Sequence, residues 1–385
     1  MPPGKAQDRE FMKHGTIAEL LKAIDGLEAS DKARFERIFH AWSIKGLCDC
    51  PPSMAAWAER HFESVDRVES QTIIRVQNIR TWEGALFNTL RACRPVPQTD
   101  KDILDTIIAK SERLRLCPFC RVLEMTAADS FAPGRIEGSH CVTASNIAKY
   151  DGRHGLVVFR EHDPLAFSPE MLQDYLNVAN RWFQAAMDVA QECIYPLLMW
   201  NCRWRAGGSQ EHGHMQLTLA QSEHYPRIEA LRRAAMTYRQ DYGNNYFADL
   251  FEIHTLLGLG WNVRGAQVIV SICPFKDKET WIMGRALNQE MATVLWTVLA
   301  ALRDQANVQS FNVGVLSPPV VPRAEWMDFP VIIRIIDRLS VSQLSSDISG
   351  MAIFAGADAI ASDPYSIAPL LKNAFATVLH EDVST

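Results

Sequence analysis

Apolar residues recur at helical spacing through the first part of the chain. Ile17, Leu20, Leu21, Ile24 and Leu27 form one such run, and Phe35, Ile38, Phe39 and Trp42 form another after a capping Ser30-Asp31. Both predict helices whose aromatic residues make a packing face. Cys48-Asp49-Cys50-Pro51-Pro52 breaks the pattern and reads as loop. From about residue 70 the texture changes to strands, at Thr72-Ile73-Ile74-Arg75-Val76 and Leu86-Phe87-Asn88, around a turn at Glu83-Gly84. Leu156-Val157-Val158-Phe159 reads as a buried strand. Ser168-Pro169-Glu170 then opens a helix, with serine as cap and proline in the first helical position. Leu172, Leu176, Ala179, Phe183 and Ala186 give that helix its apolar stripe. A strand through Pro196-Leu197-Leu198-Met199-Trp200, a polar loop with Gly207-Gly208 and a strand from His212 to Leu219 follow.

The second half repeats the order. Residues 267–272 and 279–283 predict strands, Asn288 caps a helix carrying Val294, Leu295, Val298 and Leu302, and 311–315 and 331–336 predict two more strands. A helix over about 364 to 379 ends the pattern. Strand, strand, helix, strand, loop, strand, written twice, predicts a duplicated α+β fold. The expected organisation is a helical amino-terminal extension over 1–68, a first half over 69–225 and a second, degenerate half over 226–385.

Composition narrows the function classes. With 385 residues, 48% hydrophobic and 22% charged, the chain can build a large core without staples. A net charge of −6 and no long basic run leave non-specific nucleic-acid binding without electrostatic support. No apolar run is long enough to span a bilayer, and the amino terminus lacks an apolar signal core. A reducing cytoplasm is the expected compartment. There, nine cysteines point away from a disulfide framework.

The chemistry concentrates in Ser209-Gln210-Glu211-His212-Gly213-His214-Met215-Gln216. On an extended strand His212, His214 and Gln216 share one face. Beside a glycine loop whose backbone could aim N–H groups at an anion, they form a candidate phosphate site. The plainer reading is a pair of histidines on a surface strand. Cys117-Pro118-Phe119-Cys120 has spacing suited to one tetrahedral zinc, but equally to a redox pair or two buried cysteines.

At this point the sequence resembles a known family. Asn201 and Gly207-Gly208-Ser209-Gln210-Glu211-His212-Gly213-His214-Met215-Gln216 are similar to the active-site motif of galactose-1-phosphate uridylyltransferases, the His-x-His-x-Gln transferase branch of the histidine-triad superfamily. The resemblance implies that His214 is the nucleophile, that Gln216 binds the phosphoryl oxygens of a covalent intermediate, and that Ser209 contacts the phosphate of the leaving or incoming group. Histidine-triad hydrolases generally carry a third histidine in place of Gln216, so transfer is favoured over hydrolysis. Cys117, Cys120, His162 and His212 are implied as ligands of a structural zinc, with His154 as a weaker substitute for His162. Arg91 and Arg94 match family arginines that face nucleotide phosphates, and Asn146 and Asn201 match polar contacts to the nucleotide. The resemblance covers roughly residues 70 to 378 and is strongest between 117 and 220.

Two departures stand out. Gly213 replaces the proline usual between the histidines, which is expected to loosen the strand and puts the galactose substrate in doubt. Pro330 and Ile332 stand where relatives carry a second His-x-His, so a second metal site is not expected. The function implied is a nucleotidyltransferase acting by double displacement, most simply moving UMP between a UDP-sugar and a sugar phosphate or related phosphorylated acceptor. AMP transfer, as in a dinucleoside-polyphosphate phosphorylase, is the alternative within the class. A non-catalytic zinc-stabilised nucleotide-binding protein and a nucleotide hydrolase are the alternatives outside it. Small-molecule nucleotides are the expected partners, without nucleic acid or membrane, and a homodimer is compatible with the resemblance.

Overall fold

The computed structural model describes residues 15–95, 117–343 and 346–382. The amino-terminal residues through His14 and the stretch just before Cys117 lie outside the described residues. A 3-10 turn (Ile17–Glu19) leads into α1 (Leu20–Asp25) and α2 (Ala29–Ile38), then β1 (Phe39–Leu47), α3 (Ala55–Phe62), α4 (Val65–Glu69), β2 (Ser70–Asn78) and β3 (Gly84–Phe87). The central part comprises α5 (Val122–Met125), β4 (Cys141–Ser145), β5 (His154–Phe159), α6 (Pro169–Val189), β6 (Cys193–Cys202) and β7 (His214–Gln221). The rest comprises α7 (Pro226–Tyr242), α8 (Tyr246–Leu256), β8 (Gly260–Val263), β9 (Ala266–Val270), β10 (Thr280–Gly284), α9 (Gln289–Gln305), β11 (Phe311–Leu316), β12 (Val331–Asp337), α10 (Gly350–Phe354), β13 (Ala357–Ile360) and α11 (Pro364–Asp382).

Nine strands form one antiparallel sheet in the order β4-β5-β7-β6-β11-β12-β10-β9-β8. The order of β4 to β7 on one side of the β6–β11 pair is repeated, read outward, by β9 to β12 on the other. Helices α6, α9 and α11 pack together, with α6 against the first strand group and α9 and α11 against the second. Ser168 and Asn288 cap α6 and α9 as their sequence context predicts, accepting from the Met171 and Met291 amides. The predicted stripe Leu172, Leu176, Ala179, Phe183 and Ala186 is buried in the main core with Val157, Met215 and Leu217. Among the described residues no helix is long and apolar enough to cross a membrane.

The expected helix through Phe39 and Trp42 is corrected. The chain leaves α2 at Ile38, and β1 pairs antiparallel with β2, Phe39 opposite Asn78 and Trp42 opposite Arg75. Three aromatics and an isoleucine at a helical period mislead here because the pairing surface, which lies far along the chain, decides the conformation. The Arg75 guanidinium then sits over the Trp42 ring, 4.7 Å from its centroid. The capping prediction at Ser30 also fails, since α2 starts at Ala29 and its cap residue, Glu28, makes no side-chain cap bond. Strands β1, β2, β3 and β13 form a second, four-stranded sheet, so β1 pairs across the boundary expected near residue 68.

Candidate active site and metal centre

The site grows from β5 and β7, which pair antiparallel with His214 opposite Val158 and Gln216 opposite Leu156. Alternation sends Met215, Leu217 and Val157 into the main core, toward the helices. Leu156 and Val158 instead face a small separate cluster with Ala144, against which Phe119 and Val122 pack. His214 and Gln216 therefore lie on the side of the sheet away from the helices, beside the Cys117-to-Cys120 turn. The Phe119 ring meets the His214 ring edge-on, with centroids 5.0 Å apart, and the His212 ring at 5.9 Å.

The strand begins two residues later than predicted, at His214, leaving His212 on the turn that enters it. Gly213 explains the entry. Its N–H donates to the His162 carbonyl at 3.1 Å, and its carbonyl accepts from the Phe159 N–H at 3.0 Å. A Cβ at Gly213 would stand 2.3 Å from Phe159 Cδ2. The expectation that this glycine loosens the strand is thus corrected. It is bonded on both sides and pressed against an aromatic ring, and a proline here could not make the bond to His162.

Cys117, Cys120, His162 and His212 place their ligand atoms within 4.8 Å of one another. Cys120 Sγ is 3.2 Å from His162 Nδ1 and 3.4 Å from His212 Nδ1, Cys117 Sγ is 3.5 Å from His212 Nδ1, and the two Nδ1 atoms are 3.1 Å apart. A zinc tetrahedron with ordinary bond lengths has sulfur–nitrogen edges of about 3.5 Å and nitrogen–nitrogen edges of about 3.3 Å. The donor set and its spacing fit that ion. His212 Nε2 lies 2.7 Å from the Phe159 carbonyl, which fixes the tautomer with a bare Nδ1 facing the cluster. Burial pushes His212 down to about 4, keeping it in the neutral, ligating form. Desolvation, with Cys117 beside it, pushes the Cys120 thiol up to about 11, so a cation is what would hold the pair as thiolates at neutral pH.

His214 Nδ1 lies 2.9 Å from the His212 carbonyl and donates its proton there, which leaves a lone pair on Nε2. Burial lowers the affinity of the ring for a second proton. Gln216 Oε1 accepts from the Tyr150 hydroxyl at 2.5 Å and lies 3.1 Å from His154 Nε2. Asn146 joins the same cluster, its Nδ2 3.0 Å from His154 Nε2. His154 is therefore a neighbour of Gln216 and no part of the metal cluster.

The remaining candidates divide. Asn201 Oδ1 accepts from Asn312 Nδ2 at 2.7 Å, and Asn312 also donates to the Ala206 carbonyl at 2.9 Å. Arg338 donates to Asn312 Oδ1 at 2.6 Å, so β11 and the end of β12 brace the glycine loop. Gly207 occupies the left-handed region at φ 88°, and a Cβ at Gly208 would stand 2.7 Å from the Asn201 carbonyl oxygen. Their N–H groups donate to Trp204 and Arg203 carbonyls, both at 3.0 Å. The idea that these two amides point at an anion is corrected: they close a turn. Ser209 follows with an exposed side chain. Arg91 and Arg94 are exposed at a 3-10 turn (Thr89–Cys93) packed near α3, and none of the described hydrogen bonds or ion pairs ties them to the histidine segment.

Sequence reasoning missed Tyr150, Phe119, Asn312 and Arg338. Phe119 had a signal, since it lies inside the Cys-x-x-Cys motif. The other three are placed by loop closure and strand register, which a single sequence does not display.

No protein-family model matches the chain, and no curated protein matches it by sequence. Solved structures do match. An ADP-glucose phosphorylase from Arabidopsis thaliana, with bound ADP-glucose, is 16% identical over 76% of this chain and 95% of that one, with a TM-score of 0.57. A GalT-like protein from the same plant is 15% identical over 77% of this chain and 97% of its own, with a TM-score of 0.56. A uridylyltransferase is 16% identical over 63% and 86%, with a TM-score of 0.53. At these identities the likeness is one of fold, and the chain has the α+β fold of the GalT-like uridylyltransferases.

Proposed function

We propose that this chain is a nucleotidyltransferase that works by double displacement through His214. The observation that carries the reading is the bond from His214 Nδ1 to the His212 carbonyl, 2.9 Å long, which presents Nε2 as a nucleophile without a separate base. The Nε2 lone pair attacks the α-phosphorus of a nucleotide donor. The bond from that phosphorus to the bridging oxygen breaks, and the sugar phosphate leaves with the electron pair. The phosphoramidate keeps its proton on Nδ1, hydrogen-bonded to the His212 carbonyl. An oxygen of the acceptor phosphate then attacks phosphorus, and the P–N electron pair returns to Nε2. Gln216 donates to the phosphoryl oxygens on which charge develops, and Ser209 contacts the phosphate that leaves or enters. Arg91, Arg94, Asn146 and Asn201 are proposed nucleotide contacts.

Cys117, Cys120, His162 and His212 would hold a zinc ion. With four protein donors it would have no open position, and its contribution would be to fix the entry to β7. UMP transfer from a UDP-sugar is the leading assignment. The fold shared with an ADP-glucose phosphorylase keeps AMP transfer beside it.

The two strand groups further suggest two histidine-triad-like halves, 69–225 and 226–385, with one catalytic site. Gln216 pairs with Leu156, two residues beyond His154 on β5, while Arg334 pairs with Trp281, two residues beyond Glu279. The position of the His154–Gln216 contact is thus taken in the second half by an ion pair, Arg334 Nε to Glu279 Oε1 at 2.6 Å.

Isotope exchange tests the mechanism. With UDP-glucose or ADP-glucose present, labelled glucose 1-phosphate should enter the donor pool with no other acceptor, and His214→Ala should stop it. A binding protein gives no exchange. A hydrolase releases free monophosphate at a rate that added sugar phosphate does not change.

A further inference from the structure

We infer that Tyr150 and His154 are positioning residues for Gln216, holding its side-chain carbonyl so that its amide NH2 faces the phosphoryl group at His214. The inference rests on the transfer reading above. The two ends of a primary amide have nearly the same size, so packing alone does not choose between them; hydrogen-bond partners do. A carbonyl turned toward phosphoryl oxygens would repel the charge that the NH2 group is needed to stabilise.

The geometry supplies the choice. The Tyr150 hydroxyl donates to Gln216 Oε1 at 2.5 Å. His154 Nε2 lies 3.1 Å from the same oxygen. Burial favours a neutral His154, which carries one ring proton. Its ring is held from two sides, with Nδ1 accepting from the Tyr150 N–H at 3.5 Å and Nε2 lying 3.0 Å from the Asn146 Nδ2 donor. The two rings lie against each other with centroids 4.0 Å apart. Lys149 Nζ ties the loop down by donating to the His154 carbonyl at 2.9 Å and to Ser145 Oγ at 2.7 Å. The Tyr150 hydroxyl therefore donates to the amide oxygen while the His154 ring sits beside it, and turning the amide over would lose that donated bond.

The test compares wild type with Tyr150→Phe, His154→Leu and the double variant. The readout is the single-turnover rate at which UDP-glucose or ADP-glucose labels His214, followed by intact mass. Each single change should slow labelling about ten- to a hundredfold, with the half-saturating donor concentration and zinc content nearly unchanged. Adding Gln216→Ala to the double variant should cost much less than it costs the wild type. Wild-type labelling rates in Tyr150→Phe, or a full additional loss from Gln216→Ala, would overturn the assignment. A neutron crystal structure of the double variant, which tells amide nitrogen from oxygen, gives a readout independent of turnover. A Gln216 amide still held in its present orientation contradicts the inference, whereas a turned or disordered one supports it. A wild type that takes label from neither donor counts against the transfer reading instead, and the crystal structure still decides the positioning role.

Discussion

Adding a single methyl group at Gly213 should disturb both stability and metal binding. In Gly213→Ala the new Cβ would stand 2.3 Å from Phe159 Cδ2, 3.0 Å from Cε2 and 3.2 Å from Cγ, against an ordinary carbon–carbon contact of about 3.5–4.0 Å. The ring must retreat by about 1 Å or more. It has little room, being 3% exposed, stacked on Tyr175 with centroids 3.9 Å apart, and set edge-on to Trp200 at 5.2 Å. Overpacking of this kind costs about 1–3 kcal/mol. The same residue supplies the carbonyl that faces His212 Nε2 at 2.7 Å, so its movement should also weaken the metal site, by about 10–100-fold in affinity. Gly213→Pro loses in addition the N–H bond to the His162 carbonyl, about 1 kcal/mol more. Urea denaturation gives the first quantity and competition with a chromogenic zinc chelator the second. Phe159→Leu combined with Gly213→Ala should recover part of both losses, because the two sites share one space. A Gly213→Ala variant with the wild-type urea midpoint and zinc affinity would refute the argument.

Cys120→Ser should release zinc and lower the unfolding temperature, and zinc added to wild-type apoprotein should raise it; metal analysis with calorimetry checks both. His254 is buried, donates from Nδ1 to the Leu250 carbonyl at 2.7 Å, and is pushed by burial from 6.5 down to about 4. Only the unfolded chain binds that proton between those values, so the contribution is complete above pH 6.5 and is lost as pH falls toward 4, with a slope of at most about 1.4 kcal/mol per pH unit. Denaturation curves across that window should flatten in His254→Gln. Arg334→Met leaves Glu279, whose side chain is 0% exposed, without its cation, and should destabilise by about 3–5 kcal/mol. Adding Glu279→Gln should restore part of that, and no restoration would show that the ion pair is not the cause.

The long elements of the large sheet were legible because each carries a repeated local signal. Leu172 to Ala186 mark the buried stripe of α6, Ser168 and Asn288 sit at real helix starts, and the runs at 156–159 and 331–336 are buried strands. The Cys–His cluster was legible through the family motif, since Cys117 and Cys120 reach His162 and His212 across 42 to 95 residues of chain. What failed depends on distant partners. Phe39 and Trp42 satisfy a helical period yet take the conformation demanded by β2. Gly213 read as slack because its contact, Phe159, lies in another strand. The Tyr150 contact to Gln216 needs loop geometry and the β5–β7 register together. Arg91 and Arg94 belong to a motif match that the described contacts do not join to the site.

Double displacement requires His214 to become covalently bonded to a nucleotide. Intact-mass spectrometry after brief incubation with UDP-glucose, and separately with ADP-glucose, tests it most directly. A mass increase equal to one nucleoside monophosphate is expected from at least one donor, reversed by adding a sugar phosphate and absent in His214→Ala. An unlabelled wild type with both donors, or labelling that survives His214→Ala, would contradict it.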